Sequence, residues 1–187
     1  RLRLSSIDCV EIDEQFDEVL KVQRVMPHLH LSIQSGDDMI LKRMKRRHNS
    51  KDVFEFVEHC KKIREDVSFG ADIIAGFPTE TDEMFDNTYR LLKENEISHL
   101  HIFPFSPKNN TPASRMPQVS KLIIKKRAKN LRELGELILK KVKSKLSLPR
   151  EVLIEELNLG LAVGYDQNYI KHKVPLVGVP VGEIVRV

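Results

Sequence analysis

Strand-like segments alternate with helical segments along the first two thirds of this sequence, and that order limits the fold more than any other feature. Alternation with a period of two residues predicts strands near residues 1–6, 28–33, 67–75 and 99–105, with helical spacing between them. Strands joined through helices favour a parallel sheet covered by helices, which is an α/β fold. An antiparallel sheet with one solvated face would also explain the alternation, although the intervening helices disfavour hairpins.

Five helices are predicted from the spacing of apolar residues. They are expected at residues 14–25, 37–44, 50–65, 82–94 and 120–146, with Thr81 as the N-cap of the fourth and Pro149 ending the last. The chain has 187 residues, whereas a closed eightfold barrel usually takes about 250. A closed barrel of that kind is therefore excluded.

The composition is that of a globular protein. The chain is 41% hydrophobic and 31% charged without a long apolar run, which excludes a disordered tail and a membrane span. With only two cysteines no disulfide framework is expected, and a reduced cytoplasmic setting fits best. Cys60 is in step with Val53, Phe56 and Val57, so a packed helix face is its expected place. We expect the chain to be part of a longer protein, because it opens on Arg1 rather than methionine.

Positive charge is concentrated in one stretch. Residues 115–150 contain twelve Lys and Arg against two Glu, a local charge of +10, so the remainder carries −6 of the overall +4. Such segregation indicates a cationic surface for a polyanion. A solvated lysine-rich helix without a partner is the alternative.

Side-chain parity predicts a polar face on the sheet. Successive residues of a strand point to opposite faces, so Leu29 and Leu31 would pack under the helices. The side chains expected on the other face are Arg3, Ser5, His30, Ser32, Gln34, Asp72 and His101. We therefore expect a polar ligand within that face.

The last part of the chain reads as a separate small unit. Residues 152–187 are rich in Val, Ile and Gly, with turn signals near residues 158–160 and 164–168. A β-domain of this size would depend on its neighbour for stability.

Several motifs stand in a recognisable order along the chain. They are RLSSID (residues 3–8), HLSIQSGD (30–37), DIIAGFPTET (72–81), FPFSPKNNTPA (103–113) and the tyrosine-bearing segment 164–169. Together they resemble the radical S-adenosylmethionine (SAM) tRNA methylthiotransferases, and the subgroup acting on threonylcarbamoyladenosine is the most similar.

The resemblance implies both a fold and an activity. The implied fold is part of a radical SAM (β/α) barrel of about four parallel strands (residues 1–118), a basic connecting helix (119–148) and a TRAM-like RNA-binding β-domain (149–187). The implied activity is radical addition of a methylthio group to the adenosine beside the anticodon, with SAM and 4Fe–4S clusters as cofactors. The alternative is a non-catalytic RNA-binding or accessory protein from a split or decaying gene.

The resemblance and the basic stretch together give the expected site residues, and no catalytic residue is assigned. The residues expected at the cofactor are Ser5, Gln34, Ser35, Arg46, Asp72 and Gly76. The residues expected at tRNA are Lys121, Lys125, Lys126, Arg127, Lys129, Arg132, Tyr165 and Tyr169. From the residues alone, Ser35 fits a capped turn equally well, Asp72 an ion pair with Arg3, and Arg46 an exposed helix end.

The sequence departs from the family pattern at three places. Thr79 and Asn110 replace glycines; asparagine tolerates a positive φ, whereas threonine does so poorly, so a changed loop is expected at Thr79. The CxxxCxxC loop of the family is absent, and Cys9 and Cys60 are too far apart in sequence to form it. We therefore expect no metal ligands in this chain and place the cluster ligands in an N-terminal part, for which a separate partner chain is one option. The histidine pairs 28/30 and 99/101 are expected in structural or substrate-contacting roles.

Overall fold

The computed structural model describes residues 1–146, 149–158, 160–175 and 179–187. The helices are α1 (Phe16–Lys21), α2 (Asp38–Arg43), α3 (Ser50–Ile63), α4 (Asp82–Glu94) and α5 (Lys121–Lys145). The strands are β1 (His28–Gln34), β2 (Ser68–Ala75), β3 (Ile97–Pro104), β4 (Glu151–Asn158), β5 (Leu161–Tyr165), β6 (Lys171–Val174) and β7 (Ile184–Arg186). A short 3₁₀ helix covers Pro112–Arg115. No helix among the described residues is long and apolar enough to cross a membrane.

The first three strands form the expected parallel sheet, in the order β1-β2-β3. The segment before them runs parallel to the stretch that leads into β1, but it joins only through bridges at Leu2–Val25 and Ile7–Leu31. Three of the four strands predicted in this part of the chain are therefore continuous. The first, predicted near residues 1–6, forms only the two isolated bridges. The α/β class and the parallel arrangement are confirmed.

One face of the sheet is apolar and covered by helices. Leu29, Leu31 and Ile73 are at most 1% exposed, and they share one core with residues of α3, α4 and α5. Leu2 departs from the expected pattern: it is 53% exposed, because the opening segment lies at the edge of the sheet. The opposite face carries the polar side chains.

The helix starts follow their capping residues. The Thr81 hydroxyl accepts from the Met84 N–H at 3.2 Å, as predicted, and Asn49 forms a capping box with Asp52 at the start of α3. Helix α1 is shorter than predicted, because Val22 is already extended.

Helix α5 belongs to the core of the sheet. Ala128, Leu131, Leu134 and Ile138 are buried in the same cluster as the strands, at the spacing of one helix face. The helix therefore covers the edge of the sheet formed by β3. The division into domains at residues 1–118, 119–148 and 149–187 stays a proposal. Helix α5, which lies in the second range, packs against the strands of the first range.

The last four strands form an antiparallel sheet in the order β6-β5-β4-β7, with a small core of Val152, Ile154 and Ala162. A core of this size buries little apolar surface, so contacts with the rest of the chain contribute to its stability.

Those contacts lie at the amino ends of the parallel strands. The Asn168 side-chain amide donates to the Pro27 carbonyl at 3.0 Å, and the Ser68 hydroxyl donates to the Asn168 carbonyl at 3.1 Å. The Tyr169 ring stacks on His28 with centroids 5.3 Å apart. We call this set of contacts the seam.

Burial keeps the histidines of the seam neutral. It lowers the pKa of His28 to about 2 and that of His99 to about 4. A neutral imidazole has one donor nitrogen and one acceptor nitrogen. His28 Nδ1 lies 2.9 Å from the Ser68 hydroxyl, and His99 Nε2 lies 3.0 Å from the Tyr169 carbonyl.

Replacement of Gly76 by alanine tests how closely α5 packs on the turn after β2. A Cβ at Gly76 would lie closer than 3.0 Å to Cγ1 of Ile124, and its φ is +76°. We expect a loss of about 3 kcal/mol in the free energy of unfolding, from backbone strain and overpacking together. Gly160→Ala is the control: φ is +80° with nothing within 4 Å, so only about 1 kcal/mol should be lost. Equal losses in urea unfolding would contradict the close packing.

Candidate functional site

The carboxyl ends of the three parallel strands meet at one edge of the sheet. Gln34 ends β1, Gly76 follows β2 and Phe105 follows β3. In α/β folds ligands bind at this edge, because the turns there are free to vary on a rigid frame. We call the turns 34–37, 76–81 and 105–107 the mouth.

Two turns of the mouth are held in a strained backbone conformation. Gln34 has φ +70° and Thr79 has φ +68°, a region that costs a non-glycine residue about 1 kcal/mol. Threonine tolerates this conformation poorly, and Arg43 stabilises the turn by donating to the Thr79 hydroxyl at 2.7 Å; that this loop differs from the loop of the family stays a prediction. Asn110 has φ +65°, as expected for a residue that tolerates this region. Strain at a ligand-binding edge is a recognised mark of function.

A cluster of three polar side chains lies on the inner face, which is the face opposite the helices. Oδ1 of Asp72 lies 3.0 Å from Nε2 of His30 and 3.3 Å from Nδ1 of His101. The two imidazole rings are 4.6 Å apart. The polar face predicted from parity is therefore observed, and Asp72 pairs with two histidines instead of Arg3.

The cluster presents a donor set of known chemistry. Its three ligand atoms lie within 4.8 Å of one another, and two imidazoles with a carboxylate can bind a transition metal or hydrogen-bond a polar ligand. Asp72 and His101 are partners in the β2–β3 register. That register, combined with parity, is the signal that would have linked His101 to Asp72 from the sequence.

A buried ion pair supports the turn after β2. Arg127 of α5 donates to the Glu80 carboxylate at 2.8 Å, and the Gly76 N–H donates to the same oxygen at 3.0 Å. The side chains of Arg127 and Glu80 are 6% and 2% exposed. Burial raises the pKa of Glu80 above its usual value, and Arg127 opposes that shift.

The structure separates the residues predicted at the cofactor. Gln34 and Asp72 lie half-buried on the inner face, and Ser5 is exposed on the opening segment. Ser35 is fully buried; its hydroxyl contacts Thr88 and caps the turn to Asp37, so the alternative of a capped turn is what the structure shows.

Two further predicted residues already have partners inside the protein. Arg46 donates to Asp8 at 3.1 Å and to the Ser32 carbonyl at 2.8 Å. Gly76 is covered by Ile124, so its lack of a side chain serves helix packing rather than a ligand's approach.

The two groups expected as cofactors differ in how well they fit these residues. The amide of Gln34 and the carboxylate of Asp72 offer an acceptor and donor set for the polar parts of SAM. The two thiols do not fit an iron–sulfur cluster, which needs several thiolates close together. Cys9 and Cys60 are buried, and burial raises the pKa of each to about 12, so both stay protonated.

The residues predicted at tRNA lie in two regions. Lys121, Lys125, Lys126, Lys129 and Arg132 are exposed along α5.

Arg127 departs from the prediction, because its guanidinium is buried against Glu80 and cannot meet an RNA phosphate in this arrangement. Tyr165 and Tyr169 stack on each other at 4.7 Å, and Arg3 lies over the Tyr169 ring at 4.8 Å. Tyr169 is therefore part of the seam, and its contacts within the chain account for its position without an RNA contact.

Comparison with known proteins agrees with this geometry. A sequence profile of the Radical SAM superfamily matches residues 2–92. The threonylcarbamoyladenosine tRNA methylthiotransferase MtaB of Rickettsia prowazekii is 51% identical over 179 residues, which is 92% of this chain and 41% of that protein. Over residues 2–92 this chain is therefore similar to the radical SAM superfamily. The resemblance to its tRNA methylthiotransferases that the motifs indicated is thereby confirmed.

A second curated relative agrees with this similarity. The MtaB of Thermotoga maritima is 40% identical over 98% of this chain and 43% of its own length. The chain thus spans about two fifths of the length of these curated relatives.

Two solved structures share the fold. The radical SAM enzyme coproporphyrinogen III oxidase (HemN) of Escherichia coli matches with a TM-score of 0.54 at 21% identity, over 74% of this chain and 31% of that one. Elp3 of Methanocaldococcus infernus matches with a TM-score of 0.52 at 16% identity, over 86% and 51%.

Replacement of Arg127 by methionine tests the buried ion pair. Glu80 would stay buried without its cationic partner, with only the Gly76 N–H left to bind its carboxylate, and we expect a loss of about 3 kcal/mol in the free energy of unfolding at pH 7. Lys126→Met, one residue away but exposed, should change it by less than about 0.5 kcal/mol.

The pH dependence of Arg127→Met identifies the cause. Without Arg127, burial raises the pKa of Glu80 further, so the folded variant takes up a proton at a pH where the unfolded chain does not. Its deficit relative to the unsubstituted protein should therefore shrink as the pH falls from 7 towards 5. A deficit independent of pH would show that lost packing, not the unpaired carboxylate, is responsible.

Proposed function

We propose that this chain forms the tRNA-binding and part of the catalytic framework of a radical SAM methylthiotransferase that modifies threonylcarbamoyladenosine. The observation that carries the proposal is 51% identity to a protein of that name over 92% of the chain. The polar inner face supports it, because it presents Gln34, Asp72 and two histidines where a ligand would enter. We propose a cytoplasmic location, in keeping with two unpaired cysteines.

The residues of this chain would bind and orient in that reaction. SAM, when bound, supplies the radical that activates a carbon of the adenosine. Gln34 and Asp72 would hydrogen-bond the cofactor or the nucleoside, and the strained turns would keep these groups in place. The cluster ligands are proposed to come from sequence outside this chain.

The tRNA would lie along α5. The helix has 25 residues, about 37 Å at 1.5 Å per residue. It begins beside the mouth, where Ile124 covers Gly76, and ends where Lys141 and Lys145 pair with Glu96 just before β3. An RNA backbone held along its exposed cations would thus extend from the mouth towards the antiparallel sheet.

A salt series measures this RNA contact. We expect the affinity of the chain for tRNA to fall steeply with salt, because bound phosphates release counterions. In Lys121→Gln/Lys125→Gln/Lys129→Gln the magnitude of the negative slope of log K against log salt should decrease by about 2–3, at about 0.7–0.9 per lost contact.

A triple variant with the same loss of charge elsewhere is the control. Lys51→Gln/Lys62→Gln/Lys93→Gln removes three exposed lysines from α3 and α4, and the slope should stay unchanged. An equal decrease in both triples would mean that only the net charge matters and would contradict a track along α5.

Analysis of tRNA nucleosides tests the activity in the natural protein. With Asp72→Asn introduced at the native locus, we expect at least a tenfold loss of the methylthio group from threonylcarbamoyladenosine, while threonylcarbamoyladenosine itself remains. Asp86→Asn on the exposed side of α4 is the control and should leave the modification intact. Full methylthiolation in the Asp72 variant, at equal protein level, would argue against this role and for an accessory RNA-binding protein.

A further inference from the structure

We propose that the pocket between the end of β3 and the start of α5 binds one nucleobase of single-stranded RNA. The pocket has a volume of about 400 Å³ and opens beside the mouth. This proposal rests on the proposed function and extends it, because it names the place on the chain where a base neighbouring the modified adenosine would be held.

The interior of the pocket is apolar and aromatic. Phe105, Pro107, Val119 and Ile124 are among its lining residues. Phe105 packs edge-on against Phe77, with centroids 5.4 Å apart and planes at 72°, so its ring is held in one orientation. A flat, rigid apolar surface of this kind suits the face of a base, since stacking contributes about 1–3 kcal/mol per base.

The rim of the pocket is cationic. Lys121, Lys125 and Arg132 line it and are exposed, and they lie at 0°, 40° and 20° on a wheel of about 100° per residue. Arg132 also reaches the Ile102 carbonyl at 3.5 Å, across the edge of β3. Positive groups around an apolar slot complement a ligand with a planar apolar part flanked by negative charges, which describes a nucleotide within a strand.

The position of the pocket favours single-stranded RNA over a duplex. A base must leave its stack to enter such a slot, and loops of RNA supply bases in that state. The pocket follows Pro104 and Phe105 at the same edge of the sheet as Gln34 and Gly76. A base seated there would hold the strand while an adjacent nucleotide turns towards the inner face.

The test uses an anticodon stem-loop RNA in which each loop position in turn is made abasic, with binding measured by fluorescence anisotropy. For the unsubstituted chain we expect one position at which loss of the base weakens binding about tenfold. In Val119→Glu, which places a carboxylate in the pocket, that position should matter less than twofold, because the base is no longer held.

Leu122→Glu is the matched control. It adds the same charge three residues away, at a side chain that is 84% exposed and outside the pocket. The tenfold effect of the abasic position should persist in this variant. Phe105→Leu keeps the apolar bulk but removes the aromatic ring, so it should reduce the effect of the abasic position. This variant still tests the pocket if Val119→Glu fails to fold.

The outcomes separate this inference from the proposed function. Salt-dependent binding in which no abasic position is coupled to Val119 would overturn the pocket and leave the tRNA contact standing. An abasic effect that is equal in the Val119 and Leu122 variants would do the same. Absence of any RNA binding would overturn the proposed function and the pocket with it.

Discussion

The ion pair between Arg127 and Glu80 links the parts of this fold that function depends on. It joins the helix that covers the sheet to the turn that ends β2, and the Gly76 N–H binds the same carboxylate. A buried pair of this kind adds little net stability, because desolvation opposes the attraction, but either charge left alone is costly. Its effect is therefore on the arrangement: a packing of α5 that separated Arg127 from Glu80 would leave a buried charge alone at the turn after β2.

The two ends of the parallel sheet have different tasks. At the carboxyl ends, strained turns and polar side chains leave room for a ligand. At the amino ends, the seam uses neutral histidines, an amide and stacked rings to hold the antiparallel sheet, and burial keeps His28 and His99 uncharged. Helix α5 runs between the two ends of the sheet, with its apolar face in the core and its lysines exposed. A row of positive charge therefore extends from one end of the sheet to the other.

Periodicity predicted the layers of this fold well, and it predicted individual side chains less well. Parity placed Asp72 and His101 on one face, because alternation along a strand depends only on backbone geometry. The charge of Arg127 predicts a place on the RNA surface, whereas its spacing from Ile124 and Leu131 puts it on the buried face of α5. Ser35 was assigned by motif, and motifs do not show whether a hydroxyl turns outward or caps its own turn.

In the described part of the chain the inner face of the parallel sheet is polar and open to solvent. In a filled barrel the inward positions are branched and apolar, because they must pack against each other. Here His101 has a side chain 58% exposed and Phe103 is 52% exposed, so this face gains little from packing. Its polar groups keep their solvation until a ligand replaces water, and a ligand with matching donors and acceptors loses least in that exchange. The stability comes from the helix-covered face, which leaves the composition of the inner face free to serve binding.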